Sequence, residues 1–126
     1  MRIFAVPFIM LLALGEIVSE CDAKSVVGRA SFYKFGNRTA NGEQFVPLGL
    51  TAAHRNLPFG THLLVTNLKN GKSVIVRIND RGPSMQSRVL DLSLGAAKIL
   101  DFDKLGIAEI RFEEISEPVP DGYVEE

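Results

Sequence analysis

Apolar and polar residues alternate through Leu63–Leu68 and again through Ser73–Ile78, and Asn70-Gly71 lies between the two runs. Alternation with a period of two marks a strand with one buried face, and Asn-Gly accommodates the positive φ angles of a tight hairpin turn. A two-residue loop pairs Lys69 with Lys72. It also sets Val65 opposite Val76, Leu63 opposite Ile78 and Asn67 opposite Val74. Leu63, Val65, Val74, Val76 and Ile78 then share the core face. The same parity carries Asp80 to the rim of that core, and Gly82-Pro83 stops the strand just beyond it.

Three further strands are predicted. Val26–Tyr33 opens the folded part, Arg88–Leu92 forms a short run, and Ile107–Phe112 alternates with Ala108, Ile110 and Phe112 inward. Ser93 is placed to cap a short helix over Leu94–Leu100, and Leu57-Pro58-Phe59-Gly60 reads as a turn. The pattern predicts a mainly β protein with one or two short helices, and the even spacing of its strands favours a closed barrel over an open sheet.

The two ends of the chain differ from this body. Residues Ile3 to Gly15 are almost uninterruptedly apolar behind Arg2, a run too short for a membrane span and patterned as a secretory signal. Cleavage after Ala23 makes 1–23 a signal peptide, 24–115 the folded domain and 116–126 an acidic, proline-containing tail read as disordered. Cys21 is the only cysteine, so no internal disulfide forms. Glu20 directly before it makes a poor lipidation signal, so export without a membrane anchor is expected.

Charge is segregated as well. Lys24 to Phe112 holds thirteen Lys and Arg against six Asp and Glu, whereas Glu113 to Glu126 holds six acids and no base. A basic exported body suits a polyanionic partner such as cell-wall glycan, nucleic acid or a membrane surface. No nucleic-acid motif is present, so nucleic acid is not expected as a partner. His54 and His62 without a nearby carboxylate motif make no metal site, and no cofactor is expected.

Several segments together resemble the rare lipoprotein A family. They are Ala30-Ser31-Phe32-Tyr33, Thr39-Ala40-Asn41-Gly42-Glu43, Leu50-Thr51-Ala52-Ala53-His54, Leu57-Pro58-Phe59-Gly60-Thr61, Val65-Thr66-Asn67-Leu68 and Val76-Arg77-Ile78-Asn79-Asp80-Arg81-Gly82-Pro83. The resemblance spans Val27 to Phe112. It implies a six-stranded double-ψ β-barrel of the kind found in expansins and barwin. It also implies an endolytic lytic transglycosylase (a lyase) that cuts the MurNAc–GlcNAc bond of peptidoglycan in the periplasm or envelope, leaving 1,6-anhydromuramic ends. Asp80 falls on the family's acid position, and Glu43 and His54 fall on its supporting positions.

That chemistry fits a single carboxyl group, which protonates the departing oxygen and then takes the proton of the sugar's own C6 hydroxyl. Tyr33 is expected to stack on a sugar ring, with Asn41, Asn79 and Arg81 as further glycan contacts. Arg81 bears on Asp80 as well, because a neighbouring cation favours the ionised carboxylate. A monomer is expected. The alternative function is a non-catalytic, expansin-like module that binds or loosens the wall through the same groove.

Overall fold

The computed structural model describes residues 25–116 and 124–125. The predicted signal peptide, including Cys21, and most of the predicted tail lie outside the described residues. The described strands are β1 (Val26–Tyr33), β2 (Thr51–Ala53), β3 (His62–Asn67), β4 (Ser73–Asp80), β5 (Leu90–Ser93), β6 (Ile107–Ile115) and β7 (Val124–Glu125). Among the described residues one short helix, α1 (Leu94–Ile99), follows β5 directly. The sheet runs β2-β5-β1-β6-β3-β4, and a parallel pairing of β2 with β4 joins its two edges. This is a closed six-stranded double-ψ barrel. β7 lies outside the ring, against the start of β4.

The barrel interior is filled by side chains of the alternating strands. Leu63, Val65, Val74, Val76 and Ile78 are all buried there, as are Leu90, Leu92, Ile110 and Phe112. The Ser93 hydroxyl accepts a hydrogen bond from the Ala96 N–H and caps α1, whose Ala96 and Ala97 pack into the same core. β6 runs three residues beyond its alternating segment because β3 continues to pair with it as far as His62 opposite Ile115. β5 begins two residues later than predicted, since Arg88 is still in a turn, its N–H donating to the Met85 carbonyl.

The hairpin keeps the predicted face but not the predicted register. Val65 pairs with Val74 and Leu63 with Val76, a displacement of two residues. An even displacement leaves every side chain on its original side. The physical reason lies in two asparagines. Asn67 is 3% exposed and donates its side-chain amide to the Leu100 carbonyl at 2.8 Å. Asn70 donates to the same carbonyl at 3.0 Å. Drawing both toward the end of α1 widens the loop to Leu68–Gly71, closed by an Asn67 N–H to Lys72 carbonyl bond. Gly71 alone in this loop has a positive φ, 79°.

The glycine of α1 is fixed by packing. A Cβ on Gly95 would sit 2.4 Å from the Leu48 carbonyl oxygen and 2.7 Å from its carbon, both backbone atoms. Gly95→Ala therefore forces the 47–49 segment off the helix. We expect a loss of about 2 kcal/mol or more in chemical denaturation; an unchanged midpoint would refute the close approach.

Candidate functional site

β4 and the loop before β2 meet at one end of the barrel, and most of the expected residues meet there too. Asp80 ends β4 and is half-buried. Its Oδ1 accepts the N–H of Ala40 at 2.9 Å and that of Arg81 at 2.9 Å. Its Oδ2 accepts the hydroxyl of Tyr33 at 3.2 Å. One face of the Tyr33 ring is stacked on Phe45, with centroids 4.7 Å apart. Burial, together with the Asp80 carboxylate, raises the Tyr33 phenol above its ordinary range, so it stays a donor.

Arg81 does not form an ion pair with the carboxylate beside it. Its guanidinium swings away, donating to the carbonyls of His54 at 3.2 Å and Leu57 at 2.9 Å. It also lies over the Phe59 ring at 4.0 Å.

Glu43 is held by a different set of groups. Arg77 grips it in a bidentate pair at 2.9 and 3.0 Å, Asn79 donates at 3.0 Å and Asn41 donates at 3.0 Å. These bonds, the Arg77 pair foremost, hold its carboxyl down at about 2. Glu43 is thus a firmly ionised, fully engaged group that makes no hydrogen bond to Asp80. Asn79 is 1% exposed and lies beneath the loop, whereas Asn41 is at the surface.

His54 is near Asp80 through its backbone only, its N–H donating to the Asp80 carbonyl at 3.2 Å. The ring turns elsewhere. Its Nδ1 accepts the N–H groups of Asn56 and Leu57 at 3.1 Å each, and its edge meets Phe112. Burial lowers the His54 pKa, and Arg55 and Arg81 add to that shift.

Sequence reasoning passed over one acid. Asp91 pairs with Ser31 across β1 and β5 and accepts the Ser31 hydroxyl, which in turn accepts Arg88 at 3.0 Å. Its charge adds, after burial and Asp80, to the upward shift of Tyr33. A polar residue between Leu90 and Leu92 in a strand was the available signal.

A hollow of about 210 Å³ opens beside the loop, lined by Glu43, Thr51, Arg77 and Asn79 among others. Another, of about 650 Å³, lies at the far end of β4 near Asn67 and Asn70 and includes none of the expected site residues. Among the described residues no cluster of His, Cys, Asp and Glu suits a metal ion.

Comparisons with known proteins bear on this geometry. The sequence model of a double-ψ β-barrel family described as lytic transglycolase matches residues 25–112. A Nostoc protein named "Probable endolytic peptidoglycan transglycosylase RlpA" is 54% identical over 94 residues, covering 71% of this chain and 25% of its own. A Pseudomonas aeruginosa protein named "Endolytic peptidoglycan transglycosylase RlpA" is 50% identical, covering 78% of this chain and 30% of its own. The chain therefore spans under a third of either relative.

Among solved structures, the expansin of Clavibacter michiganensis superimposes with a TM-score of 0.64 at 26% identity, covering 76% of this chain and 52% of that one. An Asp-to-Asn variant of that expansin, in complex with cellohexaose, gives 0.62 at 25% identity, with the same coverage. The papain inhibitor of Streptomyces gives 0.63 at 20% identity, covering 74% and 96%, and supports the fold.

These findings correct the enzymatic expectation. The expansin, which superimposes at 26% identity, is not named for cutting a glycan. The transglycosylase name belongs to proteins mostly made of sequence absent here. The lyase and lytic transglycosylase assignments are therefore withdrawn in favour of the expansin-like alternative. Asp80 itself accepts hydrogen bonds through both carboxylate oxygens, from Tyr33 and from the Ala40 and Arg81 N–H groups.

Glu43 also links stability to acid. Its folded pKa, about 2, lies below the ordinary 4.5, so its contribution is whole above about 4.5 and is lost as pH falls toward 2. Glu43→Gln should flatten that acid limb in thermal melts taken between those pH values; an identical pH profile would show that the Arg77 grip contributes nothing.

Proposed function

From a chain that belongs to the rare lipoprotein A type of double-ψ β-barrel, the family described as lytic transglycolase, we propose an expansin-like module that binds cell-wall glycan without cleaving it. Its relatives support a place in the bacterial envelope, and the likeness to an expansin supports a general wall-carbohydrate role. Export and action as a monomer complete the reading, with peptidoglycan strands as the glycan.

The observation that carries it is the Tyr33–Asp80 pair. An aromatic ring backed by Phe45 donates to a carboxylate whose other oxygen is held by two backbone N–H groups. A pyranose offers apolar C–H faces and hydroxyl donors on its rim. A ring beside a fixed anionic acceptor matches both, and Arg81 on Phe59 adds a second flat, polar surface. The same fold in an expansin was crystallised with cellohexaose, a β-1,4-linked glycan with that alternation of faces and hydroxyls. The thirteen cations of the body favour an anionic wall over a neutral one.

The test is retention on purified wall and on peptide-stripped glycan strands, followed by mass spectrometry of the supernatant. Retention without anhydro-ended or newly released oligosaccharides is expected. Release of such products would overturn the non-cleaving reading, and absence of retention on every glycan would overturn binding. Asp80→Ala should weaken retention about tenfold by removing the acceptor. Equal retention by this variant would move the site away from Asp80.

A further inference from the structure

Residues Arg38 to Gln44 form one small body through their own bonds. Arg38 and Gln44 make an isolated β-bridge. Thr39 N–H donates to the Glu43 carbonyl at 2.8 Å, and Gly42 N–H to the Thr39 carbonyl at 3.0 Å. The Arg38 guanidinium closes on the Gly42 carbonyl at 2.8 Å. A unit tied this way moves as a whole.

Besides the Ala40 bond to Asp80, it is fastened to β4 at two places. One is the Glu43 carboxylate, held by Arg77 and Asn79; the other is the Asn41 N–H, which donates to the Asn79 carbonyl at 3.2 Å. Both anchors on β4 line the hollow beside the loop, and both are already engaged there. Asn79 is buried, and two terminal nitrogens of Arg77 are committed to Glu43. What the loop presents outward is the Ala40 N–H, 2.9 Å from Asp80 Oδ1.

Arg77, Asn79 and Glu43 thus form a clamp two steps removed from the groove. We propose that Arg77 and Asn79, acting through Glu43, are positioning residues that hold the Arg38–Gln44 loop so that Ala40 N–H fixes the Asp80 carboxylate. Without the clamp, Asp80 keeps Tyr33 and the Arg81 N–H but loses the donor that sets its rotation. Glu43 then serves as an anchor and not as a group that meets glycan. The expectation of glycan contact for Asn79 gives way to the same role.

The binding arm of the test rests on the wall-glycan reading; the spectroscopic arm does not. In the full chain labelled with ¹⁵N, amide exchange and the acid titration of the Ala40 amide are followed in the parent, in Arg77→Met and in the milder Glu43→Gln. In both variants Ala40 should exchange about tenfold faster and lose its carboxylate-dependent shift, while Val65 and Val76 in the barrel stay protected. Affinity for stripped glycan should fall about fivefold. An unchanged Ala40 amide in Glu43→Gln overturns the proposal. So does an equal rise in exchange at Val65 and Val76, which would make the effect a general loss of stability. If the parent binds no glycan, the functional reading fails while the Ala40 signals still decide this one.

Discussion

The structure depends on the three-residue strand β2, whose Ala52 and Ala53 pair on both sides at once while Thr51 pairs with β4. β2 runs parallel to β4 and antiparallel to β5, and without it the sheet would be an open strip with two unpaired edges. All three residues are buried, and the two alanines present no bulk to the crowded interior. The register shifts between Ala52 and Ala53, so that Ala53 faces Asp80 where regular pairing would give Asn79. The closing contact therefore also sets where the carboxylate emerges. Fold and site share one constraint.

Around that point the charges are sorted by partner. Glu43 is neutralised by Arg77, Arg81 is directed to backbone carbonyls, and Asp80 is left with neutral donors. A carboxylate bonded to N–H and O–H groups suits the hydroxyls of a saccharide, which are plentiful donors.

Much of the fold was legible because alternation reports directly on burial. Val26–Tyr33 matches its predicted bounds, and the inward trio Ala108, Ile110 and Phe112 is buried. β2 escaped notice because three residues carry no period. The hairpin register escaped because Asn67 and Asn70 answer to the helix end, a partner 30 or more positions away that no local rule includes. At the site, sequence motifs brought Asp80, Glu43 and Tyr33 into one neighbourhood. They did not reveal that Arg77 holds Glu43 or that the His54 ring faces backbone N–H groups. Side-chain alliances across the barrel leave no mark on spacing, and the one cue to Asp91, its place between Leu90 and Leu92, does not name Ser31 as its partner.

The double grip on Leu100 has an outcome at the other end of the molecule. A carbonyl oxygen has two lone pairs, and two amide groups from the hairpin tip occupy both. No further turn of α1 can claim that oxygen, and the backbone leaves at once through Asp101 with φ at 63°. The tip of one element thus acts as a stop for the length of another, and residues 67–70 and 100–102 are bound to shift together under any load placed on that rim.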